Sequence, residues 1–222
     1  MGDRLGQAQV LQARGDLALM QARYKEAERL YQEALPLYRQ IGDRLGEANI
    51  LKARGDVARM QARYEEAERL YQEALPLHRQ IGNRLGEANI LQAQAHVARM
   101  QARYEEAERL YQEALSLYRQ IGHRLGEANA LAARGEVALV QDRYGEAERL
   151  YQEALPLHRQ IGNRLGEANC LFSMGQLARA TRRSDGETRW LFTEAARIFT
   201  AIGDTEWARR ASEAAAGTPT AP

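Results

Sequence analysis

The chain has 222 residues, 45% of them hydrophobic and 27% charged, with 31 basic and 30 acidic side chains and a formal net charge of +1. That balance excludes a global electrostatic pull toward nucleic acid or an anionic membrane, and the apolar fraction argues against wholesale disorder. One cysteine excludes an internal disulfide framework and a multi-cysteine zinc site, and no apolar run approaches the roughly 20 residues that cross a bilayer.

Taken from the N-terminus, the chain repeats itself. Glycines recur at Gly42, Gly82, Gly122 and Gly162, always 40 residues apart, inside copies of one segment (Ile-Gly-Asp-Arg-Leu-Gly-Glu-Ala-Asn at residues 41–49). This spacing predicts repeats over 2–41, 42–81, 82–121, 122–161 and 162–203. The fifth is degenerate: its closing Gly203 falls one position late, which places one inserted residue in the turn around Arg183–Asp185.

Each repeat carries two helical patterns. In the first, from Arg44 to Gln61, Leu45, Ala48, Leu51, Gly55 and Ala58 form one apolar stripe. Ile50, Ala53, Val57 and Met60 form a second, and a polar strip of Asn49, Lys52, Asp56, Arg59 and Arg63 lies between them. A helix with two apolar stripes must lie between neighbours, with only its polar strip toward water. We term this pattern helix A. The second pattern, helix B, starts at Tyr64 and has a single apolar face that includes Ala67, Leu70, Tyr71, Ala74, Leu77, His78 and Ile81. Asp3, Asp43, Asn83 and Asn163 stand where N-caps are needed, with His123 in the equivalent place of the fourth repeat. Pro36, Pro76 and Pro156 fall inside helix B and predict a bend there. Residues 204–216 read as a closing helix and 217–222 as a tail. The opening repeat has no polar helix before it and leaves Leu5, Leu11 and Leu17 as an uncapped surface, which is expected where further repeats or another chain would pack. An all-α solenoid of stacked antiparallel hairpins over residues 1–216 follows.

The set Gly55, Tyr64, Ala67, Tyr71 and Ala74, with Gly15, Tyr24, Ala27, Tyr31 and Ala34 in the first repeat and Gly135, Tyr144, Ala147, Tyr151 and Ala154 in the fourth, resembles the tetratricopeptide repeat. The 40-residue period is similar to the long-helix class of Pins-type polarity adaptors and bacterial multidomain signalling proteins. That resemblance implies a right-handed superhelix with helix A lining a concave groove. Two places depart from the family pattern. Arg14, Arg54, Gln94 and Arg134 stand where the family often has Leu, so the arginines need acceptors, expected among helix-B glutamates. Asp16, Asp56, His96, Glu136 and Gln176 stand in the asparagine place of the carboxylate clamp, which argues against that kind of chaperone adaptor.

If helix A lines a groove, the residues facing a ligand are Asn49, Lys52, Asp56, Arg59, Asn89, Gln92, His96, Arg99, Asn129, Glu136 and Asn169. The asparagines, with Gln9 in the first repeat, form an amide ladder able to donate to and accept from an extended peptide backbone. The alternative is that they are solvated or cap local backbone. Arg59, Arg99 and Arg179 suit carboxylate-bearing partners. His78 and His158, two repeats apart, are expected at the packed edge of helix B and not on a metal; His96 reads as a solvated side chain and Cys170 as a buried, inert thiol. Met20, Met60 and Met100 recur as core or groove-edge residues.

No phosphate-cradling, dinucleotide, zinc-protease or nucleophile-elbow motif is present, so no enzyme, cofactor, metal or small-molecule substrate is expected. The mixed-sign strip argues against RNA. The expected function is a cytoplasmic protein- or peptide-binding scaffold within a larger signalling protein. Head-to-tail homo-oligomers through the uncapped first repeat are the alternative.

Overall fold

The computed structural model describes residues 3–217. They form eleven helices and no strand: α1 (Arg4–Met20), α2 (Tyr24–Ile41), α3 (Arg44–Met60), α4 (Tyr64–Gln80), α5 (Arg84–Met100), α6 (Tyr104–Gln120), α7 (Arg124–Val140), α8 (Tyr144–Gln160), α9 (Arg164–Ala180), α10 (Asp185–Ala201) and α11 (Thr205–Ala215). The chain is an all-α array of antiparallel hairpins of the solenoid type. It divides into two compact units, Met1–Leu117 and Tyr118–Pro222.

In the first unit α1 pairs with α2 and α3 with α4, while α2 packs on α3 and α4 on α5. Helix α3 also touches α1 and α5, so it is flanked on every side but one, as its two apolar stripes require. Ile50, Leu51, Val57 and Ala58 are fully buried, and burial of each large aliphatic side chain contributes about 1.5–3 kcal/mol. Leu45 and Met60, at the ends of the stripes, are about half exposed. Met20 and Met100 are exposed as well, so the methionine series lies at the surface and not in the core. In the second unit α7 pairs with α8, α8 packs on α9, α9 on α10 and α10 on α11, and α7 touches α9.

Caps fix the register. Asp3, Asp43, Asn83 and Asn163 each accept from a backbone N–H three residues on, and His123 does the same through Nδ1, 3.0 Å from the Gly126 nitrogen. Gly42, Gly82, Gly122, Gly162 and Gly203 close the preceding helix in the left-handed region. The A–B turns use the same region without glycine, at Ala22, Ala62, Ala102, Asp142 and Arg182. The extra residue of the fifth repeat is Ser184, the N-cap of α10. The helices run unbroken through Pro36, Pro76 and Pro156. Helix α11 closes the second unit, with Trp207 between Phe172 and Phe199. Of the expected tail 217–222, all but Gly217 lies outside the described residues.

Each joint between hairpins has one design. The second glycine of the repeat segment leaves a gap that a ring from the preceding helix fills: Tyr38 over Gly46, His78 over Gly86, Tyr118 over Gly126 and His158 over Gly166. A Cβ on Gly46 would stand 2.2 Å from Tyr38, and one on Gly86 2.3 Å from His78. The histidines expected at an edge are therefore fully buried joint residues. Beside each ring a buried glutamate accepts from two arginines. Glu47 takes Arg39 and Arg44, Glu87 takes Arg79 and Arg84, Glu127 takes Arg119 and Arg124, and Glu167 takes Arg159 and Arg164.

Candidate functional site

The polar strips of the A helices are the candidate site. In the first unit Asn49, Lys52, Asp56, Arg59, Asn89, Gln92, His96 and Arg99 are all half-buried. Between α1 and α3 lies a cleft of about 390 Å³ lined by Gln9, Gln12, Asp16, Tyr38 and Asn49 among others, and Tyr38 Oη donates to Gln12 Oε1 at 2.7 Å. The Asn49 amide meets no hydrogen-bonding partner among the described residues, which sets aside the local-cap alternative for it.

The acidic members of the strip are engaged internally. Asp56 accepts from Tyr71 Oη at 2.7 Å and from Lys52 Nζ at 2.6 Å; Asp16 accepts from Tyr31 Oη at 2.7 Å. Burial, reinforced by the Asp56 carboxylate, pushes the Tyr71 phenol well above its ordinary range, so it remains a donor. Lys52 and Asp56 thus neutralise each other, and the net character of this face comes from its amides and from Arg59 and Arg99.

His96 departs from expectation. It is not a solvated imidazole: its ring stands edge-on to Tyr111, centroids 5.6 Å apart. Burial, then the nearby Arg99 and Arg59, holds it down to about 4, against a smaller opposing effect of Asp56. It is neutral near pH 7 and offers a hydrogen bond without a charge.

In the second unit Asn129 and Glu136 are half-buried and Asn169 is exposed, and neither Asn129 nor Asn169 has a side-chain partner among the described residues. Arg179, expected to extend the arginine row, is used otherwise. It donates to the Ala214 carbonyl oxygen at 2.6 Å and lies 4.8 Å over the Phe192 ring, tying α11 to α9 and α10. Cys170 is buried, and burial, with Glu136 adding to it, pushes its thiol up to about 12, so it is inert as a nucleophile. Of the three departing arginines, Arg54 reaches Glu28 at 3.5 Å and Arg134 reaches Glu146 at 3.9 Å, while Arg14 stays at the surface. Sequence reading missed the buried glutamates of the joints. Their signal was the constant eight-residue step from Arg39 to Glu47, kept in three further repeats.

Among the described residues no cluster of three or more His, Cys, Asp or Glu side chains could hold a metal ion, and no helix is long and apolar enough to cross a membrane.

Stacked hairpins whose alternate helices present a polar strip define a helical-repeat protein. Residues 46–120 and 126–186 match the profile of the tetratricopeptide repeat, and the chain belongs to that family. No curated protein sequence matches it. Among solved structures it is similar to a signal transduction ATPase with numerous domains, bearing a tetratricopeptide repeat sensor, from Pyrococcus horikoshii (TM-score 0.81, 17% identity, 97% of this chain and 33% of the other). It is also similar to the apo form of RapI (TM-score 0.74, 12% identity, 98% and 84%) and to BtubC from P. vanneervenii (TM-score 0.61, 18% identity, 91% and 76%). At these identities the likeness is one of fold. The chain spans a third of the length of the ATPase.

Proposed function

We propose that the chain is a non-catalytic binding scaffold whose helix-A strips hold a peptide or protein partner, and that it serves in the cytoplasm as a module of a larger signalling or regulatory protein. The observation that carries this reading is the set of half-buried or exposed amides at Asn49, Asn129 and Asn169, which have no described partner. A primary amide left open can pair with the backbone of an extended segment irrespective of its sequence. Two similar structures support the reading: one is a repeat sensor within an ATPase, and another is a Rap protein complexed with competence and sporulation factor (TM-score 0.71, 14% identity).

The test is selection from a random peptide library, followed by binding of the selected peptides to a variant carrying Asn49→Ala and Asn89→Ala and, separately, to Asn129→Ala. The reading expects a loss of affinity, about tenfold or more for the double variant, since each removed peptide hydrogen bond contributes about 0.5–1.5 kcal/mol. Unchanged affinity would refute the assignment. Head-to-tail association gains no support, because α11 already covers the face of α10 that an incoming hairpin would need, with Trp207 seated against Phe199.

A further inference from the structure

The fifth hairpin departs from a charge pattern that three of the earlier ones share. In α2, α4 and α8 a glutamate on the second turn receives the arginine that opens the next B helix: Glu28 takes Arg63, Glu68 takes Arg103 and Glu148 takes Arg183. The equivalent residue of α10 is Arg189. The left-handed position of the A–B turn, held by alanine three times and aspartate once, is here Arg182. Two sites that are neutral or acidic in the earlier hairpins are basic in the fifth.

These changes converge. Arg179, Arg182, Arg183 and Arg189 line a single cleft of about 440 Å³, with Asp185 and Thr188 on its α10 side and the end of α11 opposite. Two of the four are already engaged: Arg183 with Glu148 and Glu187, and Arg179 with the Ala214 carbonyl and the Phe192 ring. Arg182 and Arg189 have no ion-pair or hydrogen-bond acceptor among the described residues, and Asp185 is the one carboxylate lining the cleft.

An arginine in the left-handed region carries the same backbone strain as alanine there and gains no internal hydrogen bond in return. Neither arginine contributes to packing, since both are exposed. What they supply is two guanidinium forks lining one cleft, an arrangement suited to carboxylates. We propose that this cleft is a second binding surface, separate from the helix-A strips, and that it takes an acidic peptide segment. Asp185 and the carbonyl end of α11 add some negative charge to the lining, which weighs more against the stiff, continuous phosphate backbone of RNA than against the carboxylates of a flexible acidic peptide.

Internal repetition supplies a conservative test. The variant Arg182→Ala, Arg189→Glu gives the fifth hairpin the residues that the earlier hairpins already use, so folding is preserved and is checked by circular dichroism. Fluorescence anisotropy of a labelled hexaglutamate peptide at about 0.15 M salt reads the binding, with hexaglutamine as the uncharged control. The expected result is saturable binding of hexaglutamate to the wild type, at least about tenfold weaker binding to the double variant, and no change for Asn49→Ala/Asn89→Ala. Equal affinity for wild type and double variant would overturn the proposal. So would a preference for single-stranded RNA of equal charge over the peptide. Because the amide variants are scored separately, failure here leaves the helix-A reading standing, and the reverse.

Discussion

At the level of single residues, backbone position decides what a side chain is worth. Ala62 sits at φ 56°, a region that costs L-residues about 1–2 kcal/mol and glycine almost nothing. Ala62→Gly is therefore expected to stabilise the protein by about 0.5–1 kcal/mol, read as a higher urea midpoint at unchanged m-value. Gly86 and Gly145 should move oppositely when changed to Ala. At Gly86 the new methyl meets the buried His78 ring and overpacking costs about 1–3 kcal/mol; at Gly145 nothing lies within 4 Å and the better helix former gains about 0.5–1 kcal/mol. Thermal melts of the two variants check both signs. The cap and turn residues were readable in advance, because Asp43, Asn83 and Gly82 owe their places to local chemistry. The left-handed alanines were not: nothing in the composition of the A–B turn distinguishes Ala62 from a helical alanine.

Among the helices, the joints carry the account. A ring over a glycine and a glutamate between two arginines recur at four places, and the ring is Tyr38 or Tyr118 in two of them and His78 or His158 in the others. Phenol and imidazole pack the same gap, yet only imidazole titrates near neutrality. Asn163 directs its amide N–H at His158 Nδ1, 3.0 Å away, which requires that nitrogen to be unprotonated. Replacing both histidines by Tyr is expected to leave stability at pH 7 within about 1 kcal/mol and to raise it at pH 5, measured by chemical denaturation at the two pH values. The hairpins and their apolar stripes were legible from periodicity, since Ile50 and Leu51 define two stripes whatever packs on them. The glutamates were not, because Glu47 looks like any surface acid until the arginine of the neighbouring turn folds over it. Nor was the engagement of Asp56 by Tyr71 and Lys52 or the diversion of Arg179 to α11, which depend on rotamers set by neighbours distant in sequence.

For the molecule as a whole, acid is the informative perturbant. Burial holds His78, His96 and His158 below the ordinary imidazole value, so on acidification the unfolded chain takes up these protons first. Stability is fully present above about pH 6.5 and declines as pH falls toward the depressed native values, about 4 for His96. Glu47 and Glu127 add a second loss lower down. Burial alone would raise them, but the paired arginine hydrogen bonds outweigh it and hold both carboxyls below their usual range, so their contribution disappears as they protonate. Denaturation followed from pH 8 to pH 4 should show this fall, and a flat profile would contradict the buried-histidine joints. Function is tested most directly by photo-crosslinking. A library-selected peptide carrying a benzophenone, irradiated on the protein and mapped by mass spectrometry, should crosslink to residues of the A helices, in the first unit around Asn49, Lys52, Asn89 and Gln92. Crosslinks concentrated instead on the outer faces of the B helices, at Glu65, Arg69 or Arg109, would contradict the account.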